Sequence, residues 1–176
     1  MTYQEFLKLV TDVLGKEFIE KTEGYTLHSH FDTIREGNLY IIGLNPGKDP
    51  ENPNKKLMTI GESLRQINRI NGYVGCEDKW DTLKKKYEKG QHPIQRNIKQ
   101  IAKVFSESEL YSNLKLVEDG EDKSYKNVCL TNLIFESSDN EHSVKYSERD
   151  TYWKIHKQIL KIIKPKIIIA FGNSET

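Results

Sequence analysis

The stretch NLYIIGLNPGKDP, residues 38–50, decides the fold. Its apolar run over residues 39–44 ends directly at the turn-forming residues Asn45, Pro46 and Gly47. A run of this length between two turn signals predicts a short strand that is buried on both faces, as in a parallel sheet. The residues of the turn are therefore expected at the carboxyl end of a buried strand.

Two further apolar runs predict two more strands. NVCLTNLIF, residues 127–135, ends in the polar residues Glu136, Ser137 and Ser138, and KIIIAFG, residues 166–172, closes on a glycine and predicts a third buried strand. Apolar residues at helical spacing predict helices over residues 3–18, 60–67, 80–87, 93–105 and 148–164. Residues 24–37 are expected to form a connector, and 48–56 and 106–126 to be loops.

The alternation of these elements predicts the fold class. Nearly continuous apolar strands separated by helices favour an α/β fold, a three-layer α/β/α arrangement with a short, mainly parallel central sheet, in a single domain over residues 1–176. Ligands of such sheets bind beyond the carboxyl ends of the strands. Residues 43–47, 132–138 and 172–175 are the expected site-forming ends.

Composition excludes several function classes. With 27 basic and 26 acidic side chains, the net charge of +1 provides no overall field for nucleic acid, so any polyanion binding needs a local patch. Cys76 and Cys129 are the two cysteines of the 176-residue chain, too few for a disulfide framework or a four-cysteine metal site. Glu5 and Lys8 interrupt the apolar N-terminal residues, which excludes a signal peptide, and no stretch is long enough to span a membrane. A cytoplasmic protein with no membrane association is expected.

The sequence GLNPGK permits two interpretations from its residues alone. One is a phosphate-binding loop of a small nucleotide enzyme, although the P-loop needs four residues between its first glycine and Gly-Lys, followed by Ser or Thr. Here three residues separate Gly43 from Gly47, and Asp49 follows Lys48. The other interpretation is a structural turn, since Pro presets φ and Gly accepts positive φ.

The three strand ends taken together resemble the uracil-DNA glycosylase superfamily. IIGLNPG is similar to the first motif of its mismatch-specific and single-strand-selective branches, in which Gly-x-Asn-Pro-Gly ends the first strand. NVCLTNLIF resembles the middle strand of the family, which ends in a pyrimidine-reading asparagine. IHKQILKIIKPKIIIAFGNS resembles the helix that leads through Lys-Pro into a strand ending in Gly, and HPIQRNIKQIAKVF more loosely resembles the helix after the first motif.

This resemblance implies a DNA glycosylase that releases uracil or another altered base without a cofactor or metal. Asn45 would position the attacking water, a proximity effect because an amide does not titrate, and Asn132 would read the base edge with its donor and acceptor. Further residues are implied in substrate binding (Gly43, Leu44, Pro46, Gly47 and Tyr73) and, more weakly, in DNA-backbone contact (Lys48, Ser137, Asn173 and Ser174). Single-stranded or mismatched DNA is the implied partner.

The family's last motif, a loop of the His-Pro-Ser type, has no counterpart after the third predicted strand. Either this is a C-terminally incomplete copy, or the fold is kept without its full machinery, as a non-catalytic protein that binds nucleic acid or a protein partner. Purely structural roles are also open for several residues: Asn132 as a strand-end cap, Tyr73 as a core residue, and the lysines of residues 148–164 as a solvated face. His28, His30 and Asp32 have metal-binding side chains but no further ligands in a connector, which favours no metal.

Overall fold

A computed structural model describes residues 1–46, 56–67, 93–111, 117–118, 121–122, 124–138 and 146–172. The helix predicted over 80–87, together with Gly47, Lys48, Tyr73, Asn173 and Ser174, lies outside these residues. In the part of the chain that is described, no helix is both long enough and apolar enough to cross a bilayer.

A parallel three-stranded sheet forms the centre of the protein. The described residues contain five strands in all: β1 (Leu39–Gly43), β2 (Val117–Glu118), β3 (Glu121–Asp122), β4 (Val128–Asn132) and β5 (Ile168–Ala170). β1 lies between β4 and β5 and is parallel to both, while β2 and β3 form a separate antiparallel pair. All three apolar runs identified in the sequence therefore form strands of one sheet.

Five α-helices accompany the strands in the described residues. They are α1 (Tyr3–Leu14), α2 (Lys16–Lys21), α3 (Ile60–Gln66), α4 (Pro93–Glu107) and α5 (Arg149–Ile163). Pro93 is the first residue of α4, where its missing N–H costs no hydrogen bond. The prediction of one continuous helix over residues 3–18 is wrong, because Gly15, with a φ of 88°, ends α1 and separates it from α2.

The sheet separates two apolar clusters, which confirms the predicted α/β class and its layers. Alternate strand residues, among them Tyr40, Ile42 and Cys129, pack in one cluster with residues of α1 and α5. The intervening residues Leu39, Ile41, Val128 and Leu130 pack in the other cluster with Ile98 and Ala102 of α4. Side chains of a strand alternate between its faces, so β1 and β4 have an α1/α5 face and an α4 face.

The prediction that the third strand is buried is wrong. Ile168 and Phe171 are 48% and 44% exposed, respectively. In the described residues β5 pairs with β1 alone, and the α1/α5 cluster contains residues of β1 and β4 but none of β5. Within the described part of the chain β5 is therefore an edge strand, with Ile169 packed against the α4 cluster and Ile168 exposed.

The expected connector over residues 24–37 contains ordered pairing along β4. Leu27 forms an antiparallel bridge with Thr131, and the His28 amide donates to the Leu130 carbonyl at 2.9 Å. Gly24 bridges Glu136, and any side chain at position 24 would collide with the Phe135 carbonyl. The segment thus covers the outer edge of β4 and brings His28 to the sheet.

Candidate functional site at the carboxyl edge of the sheet

Three residues form a row across the carboxyl ends of the strands. Gly43 and Asn132 are register partners at the ends of β1 and β4. Phe171 follows β5, and its amide donates to the Ile42 carbonyl at 2.9 Å, so its position is level with Gly43. Strand alternation places all three on the α4 face. An amide and an aromatic ring therefore lie on either side of a position that has no side chain.

Gly43 is the middle residue of this row and has no side chain. A Cβ atom at Gly43 would lie 2.5 Å from Oδ1 of Asn132 and 3.2 Å from Cζ of Phe171. Both distances are shorter than an ordinary van der Waals contact, so the two side chains use the space that glycine leaves. Oδ1 of Asn132 is the polar atom that faces this position.

His28 contacts the other end of the Asn132 amide. Nδ2 of Asn132 lies 2.5 Å from Nε2 of His28. An amide nitrogen can only donate, so Nε2 accepts and the proton of the neutral ring is on Nδ1. Burial lowers the pKa of His28 to about 4, which keeps the ring neutral near pH 7. The ring of Tyr25 lies beside it, with centroids 5.4 Å apart.

Gln95 is a second buried amide in the same layer. The C-terminal part of its helix lies at the amino ends of β1 and β4, where Ala102 and Phe105 line a small cavity with Leu39 and Val128. Gln95 is 0% exposed.

Asn45 joins the ends of β1 and β4 by hydrogen bonds. Its Nδ2 donates to Oγ of Ser138 at 2.6 Å and to the Pro46 carbonyl at 3.3 Å. The Ser138 amide in turn donates to the Pro46 carbonyl at 3.1 Å. Both side-chain bonds use the nitrogen, so Oδ1 is the atom with which Asn45 can hold a water.

An apolar hollow of about 220 Å³ lies at the same edge of the sheet. It is lined by residues of all three strand ends: Ile42, Gly43, Leu44, Leu133, Ala170, Phe171 and Gly172. Leu44 and Leu133 also pack against the α1/α5 cluster. The hollow therefore takes its lining from both faces of the sheet, and Asn132 is not among the lining residues.

A buried histidine supports the end of β4. Nδ1 of His156 lies 2.8 Å from the Tyr40 hydroxyl, and Nε2 lies 3.1 Å from the Leu133 carbonyl. A carbonyl can only accept, so Nε2 carries the proton and the hydroxyl donates to Nδ1. Burial lowers the pKa of His156 to about 4. The chain of bonds ties α5 and β1 to the residue that follows Asn132.

The structure brings some of the predicted site residues together and separates others. Gly43 and Asn132 are adjacent, whereas Asn45 contacts Ser138 and Asn132 contacts His28. Leu44 lines the hollow together with Gly43, Pro46 accepts from Ser138 as well as from Asn45, and the Ser137 amide donates to the Glu23 carbonyl.

Sequence reasoning missed two residues of this edge and the buried amide of Gln95. The sequence pattern indicated His28 only as a potential metal ligand, and it did not indicate Phe171 or Gln95. Phe171 directly before a strand-ending glycine was an available signal, whereas the His28–Asn132 contact joins residues 104 positions apart. Nδ1 of His30 accepts from the Asp32 amide, and the described residues contain no group of three potential ligands for a metal.

Comparison of the chain with protein-family models, curated proteins and solved structures finds no match. What the chain does must therefore be inferred from its own side chains.

Proposed function

We propose that the protein hydrolyses the N-glycosidic bond of uracil or another altered base in DNA. The row of Phe171, Gly43 and Asn132 carries this proposal. A nucleobase is a flat apolar ring with a polar edge, and an aromatic ring beside an amide suits both parts. Phe171 is 44% exposed and thus accessible to a base that has left its stack.

Asn45 has the role of holding the attacking water. Its Oδ1 would accept a hydrogen bond from the water and so direct a lone pair of the water oxygen towards the sugar carbon, while Ser138 fixes the amide through Nδ2. The amide does not take up the proton, so its contribution is one of position. Asn132 would present Oδ1 to the edge of the base, and the absence of a side chain at Gly43 lets the amide and the ring of Phe171 approach this position.

The test is base release from a single-stranded oligonucleotide that contains one uracil. Release leaves an abasic site, and hot alkali then cleaves the strand. Asn45→Ala should lower the single-turnover rate at least about a hundredfold, as expected for loss of a positioned reactant. An unchanged rate would reject the role of Asn45.

Ser138→Ala is the matched control. It removes the same 2.6 Å hydrogen bond but keeps the Asn45 amide. If Asn45 acts on the water, Ser138→Ala should lose much less activity than Asn45→Ala. Equal losses would show that Asn45 only ties the two strand ends together.

Binding without hydrolysis is the second candidate function. The polar groups of the row and its neighbour, Asn132 and the neutral His28, include no carboxylate that could act as a general base. A non-catalytic protein would retard the uracil-containing oligonucleotide, with an affinity that falls as salt rises, and would leave no alkali-labile site.

A further inference from the structure

The contact between His28 and Asn132 bears on which base the site accepts. A primary amide has two orientations that differ by exchange of its oxygen and nitrogen. The two atoms have opposite hydrogen-bonding character, so the orientation decides what is offered to a ligand. In the structure Nδ2 faces Nε2 of His28, and Oδ1 faces Gly43.

The pairing with His28 ties the orientation of the amide to the tautomer of the ring. With the proton on Nδ1, Nε2 is an acceptor and can pair only with the NH₂ end of the amide. The reverse orientation would bring Oδ1 to Nε2 and would need the proton on Nε2 instead. Asn132 is 5% exposed, so neither end of its amide can readily exchange its partner for bulk water.

We infer that His28 is a positioning residue that holds the Asn132 amide with its oxygen towards Gly43, and thereby selects a base that presents an N–H donor at that point. Uracil has such a donor at N3, beside the acceptor O4. Cytosine has an acceptor at N3 and a donor at the neighbouring amino group. In the observed orientation, Oδ1 of Asn132 can accept a hydrogen bond from N3–H of uracil. With cytosine, the same oxygen would meet N3, which is also an acceptor. That the ligand is a base follows from the proposed function, on which this part of the inference rests.

The orientation itself can be measured without any activity. Long-range proton–nitrogen correlation spectra of the ¹⁵N-labelled protein at pH 7 report which ring nitrogen of His28 carries the proton. We expect the Nδ1–H tautomer, with Nε2 unprotonated and a hydrogen-bonded side-chain amide at Asn132. An Nε2–H tautomer would overturn the inference, because Asn132 would then have to accept with Oδ1.

Variants at position 28 test the consequence for selectivity. His28→Leu removes the acceptor, and His28→Gln replaces it with a side-chain carbonyl. The readout is the ratio of uracil to cytosine release from otherwise identical oligonucleotides, which a mere change in folded population would not alter. We expect His28→Leu to lower the ratio at least about tenfold, as for loss of one buried hydrogen bond, and His28→Gln to restore part of it. An unchanged ratio in His28→Leu would overturn the inference.

His30→Leu is the matched control, since it removes a histidine of the same segment whose Nδ1 accepts from the nearby Asp32 amide. It should leave the ratio unchanged, and an equal fall in the ratio would overturn the inference. If the wild-type protein releases neither base, the proposed function fails, and the tautomer of His28 alone then decides whether it positions Asn132.

Discussion

Replacement of Gly43 by alanine is the most direct perturbation of the site. The backbone φ of Gly43 is negative, so alanine introduces no backbone strain. Its methyl group would lie 2.5 Å from Oδ1 of Asn132 and 3.2 Å from Cζ of Phe171. Phe171 needs to give way by only a few tenths of an ångström, whereas the Asn132 amide has to move by nearly 1 Å.

The expected cost follows from what Asn132 must give up. Overpacking typically costs about 1–3 kcal/mol, and displacement of the amide from His28 adds about 1 kcal/mol for the weakened hydrogen bond. Alanine also lowers the conformational entropy of the unfolded chain, which stabilises the folded variant by about 0.4–1 kcal/mol. The free energy of unfolding should therefore fall by about 2 kcal/mol in Gly43→Ala, measured by urea denaturation.

A double-mutant cycle isolates the clash. Asn132→Ala removes the atom that the new methyl group meets, so Gly43→Ala should cost little in that background. The coupling between the two positions should then be about 1–2 kcal/mol, well above the error of additivity. Additive effects, or an unchanged Asn132 side-chain amide signal in Gly43→Ala, would refute the proposed proximity.

Two further predictions concern the buried histidines. The pKa of His156 lies near 4 in the folded protein and near 6.5 in unfolded chains, so the unfolded state binds more protons between these values and stability falls as pH falls. The free energy of unfolding measured in urea should fall by about 2 kcal/mol by pH 5 through His156, with a similar fall through His28. His156→Gln should remove the contribution of His156. A free energy of unfolding that does not change between pH 7.5 and 5 would contradict both assignments. Tyr40→Phe leaves Nδ1 of His156 buried without its donor and should cost about 1–3 kcal/mol of unfolding free energy, and a variant as stable as wild type would show that the 2.8 Å bond contributes nothing.

The sheet was predictable because its strands have a local signature. The runs at residues 39–44 and 127–135 are apolar enough to be buried on both faces, and turn-forming residues mark where they end. Burial of β5 was not predictable in the same way. Its residues are as apolar as those of β1, but their exposure depends on which helices cover the edge of the sheet, and this is a tertiary property.

The sequence predicts the residues of the candidate site that lie at strand ends, but not those that other segments bring to it. Gly43 and Asn132 lie within the two apolar runs, and the parallel pairing of those runs in the observed register makes the two residues neighbours. His28 reaches Asn132 because residues 24–28 pair with the outer edge of β4, and a segment with no periodic pattern gives no sign of such pairing. The break at Gly15 was likewise hidden, since apolar residues continue at helical spacing across it.

The brevity of β5 bears on how the protein behaves among copies of itself. An open strand edge can recruit another chain, and proteins discourage this with short strands, prolines and lysines. β5 has three residues, and Pro165, which lacks an N–H group, and Lys166 precede it. Phe171 can thus stay exposed at the margin of the sheet without making that margin a template for aggregation.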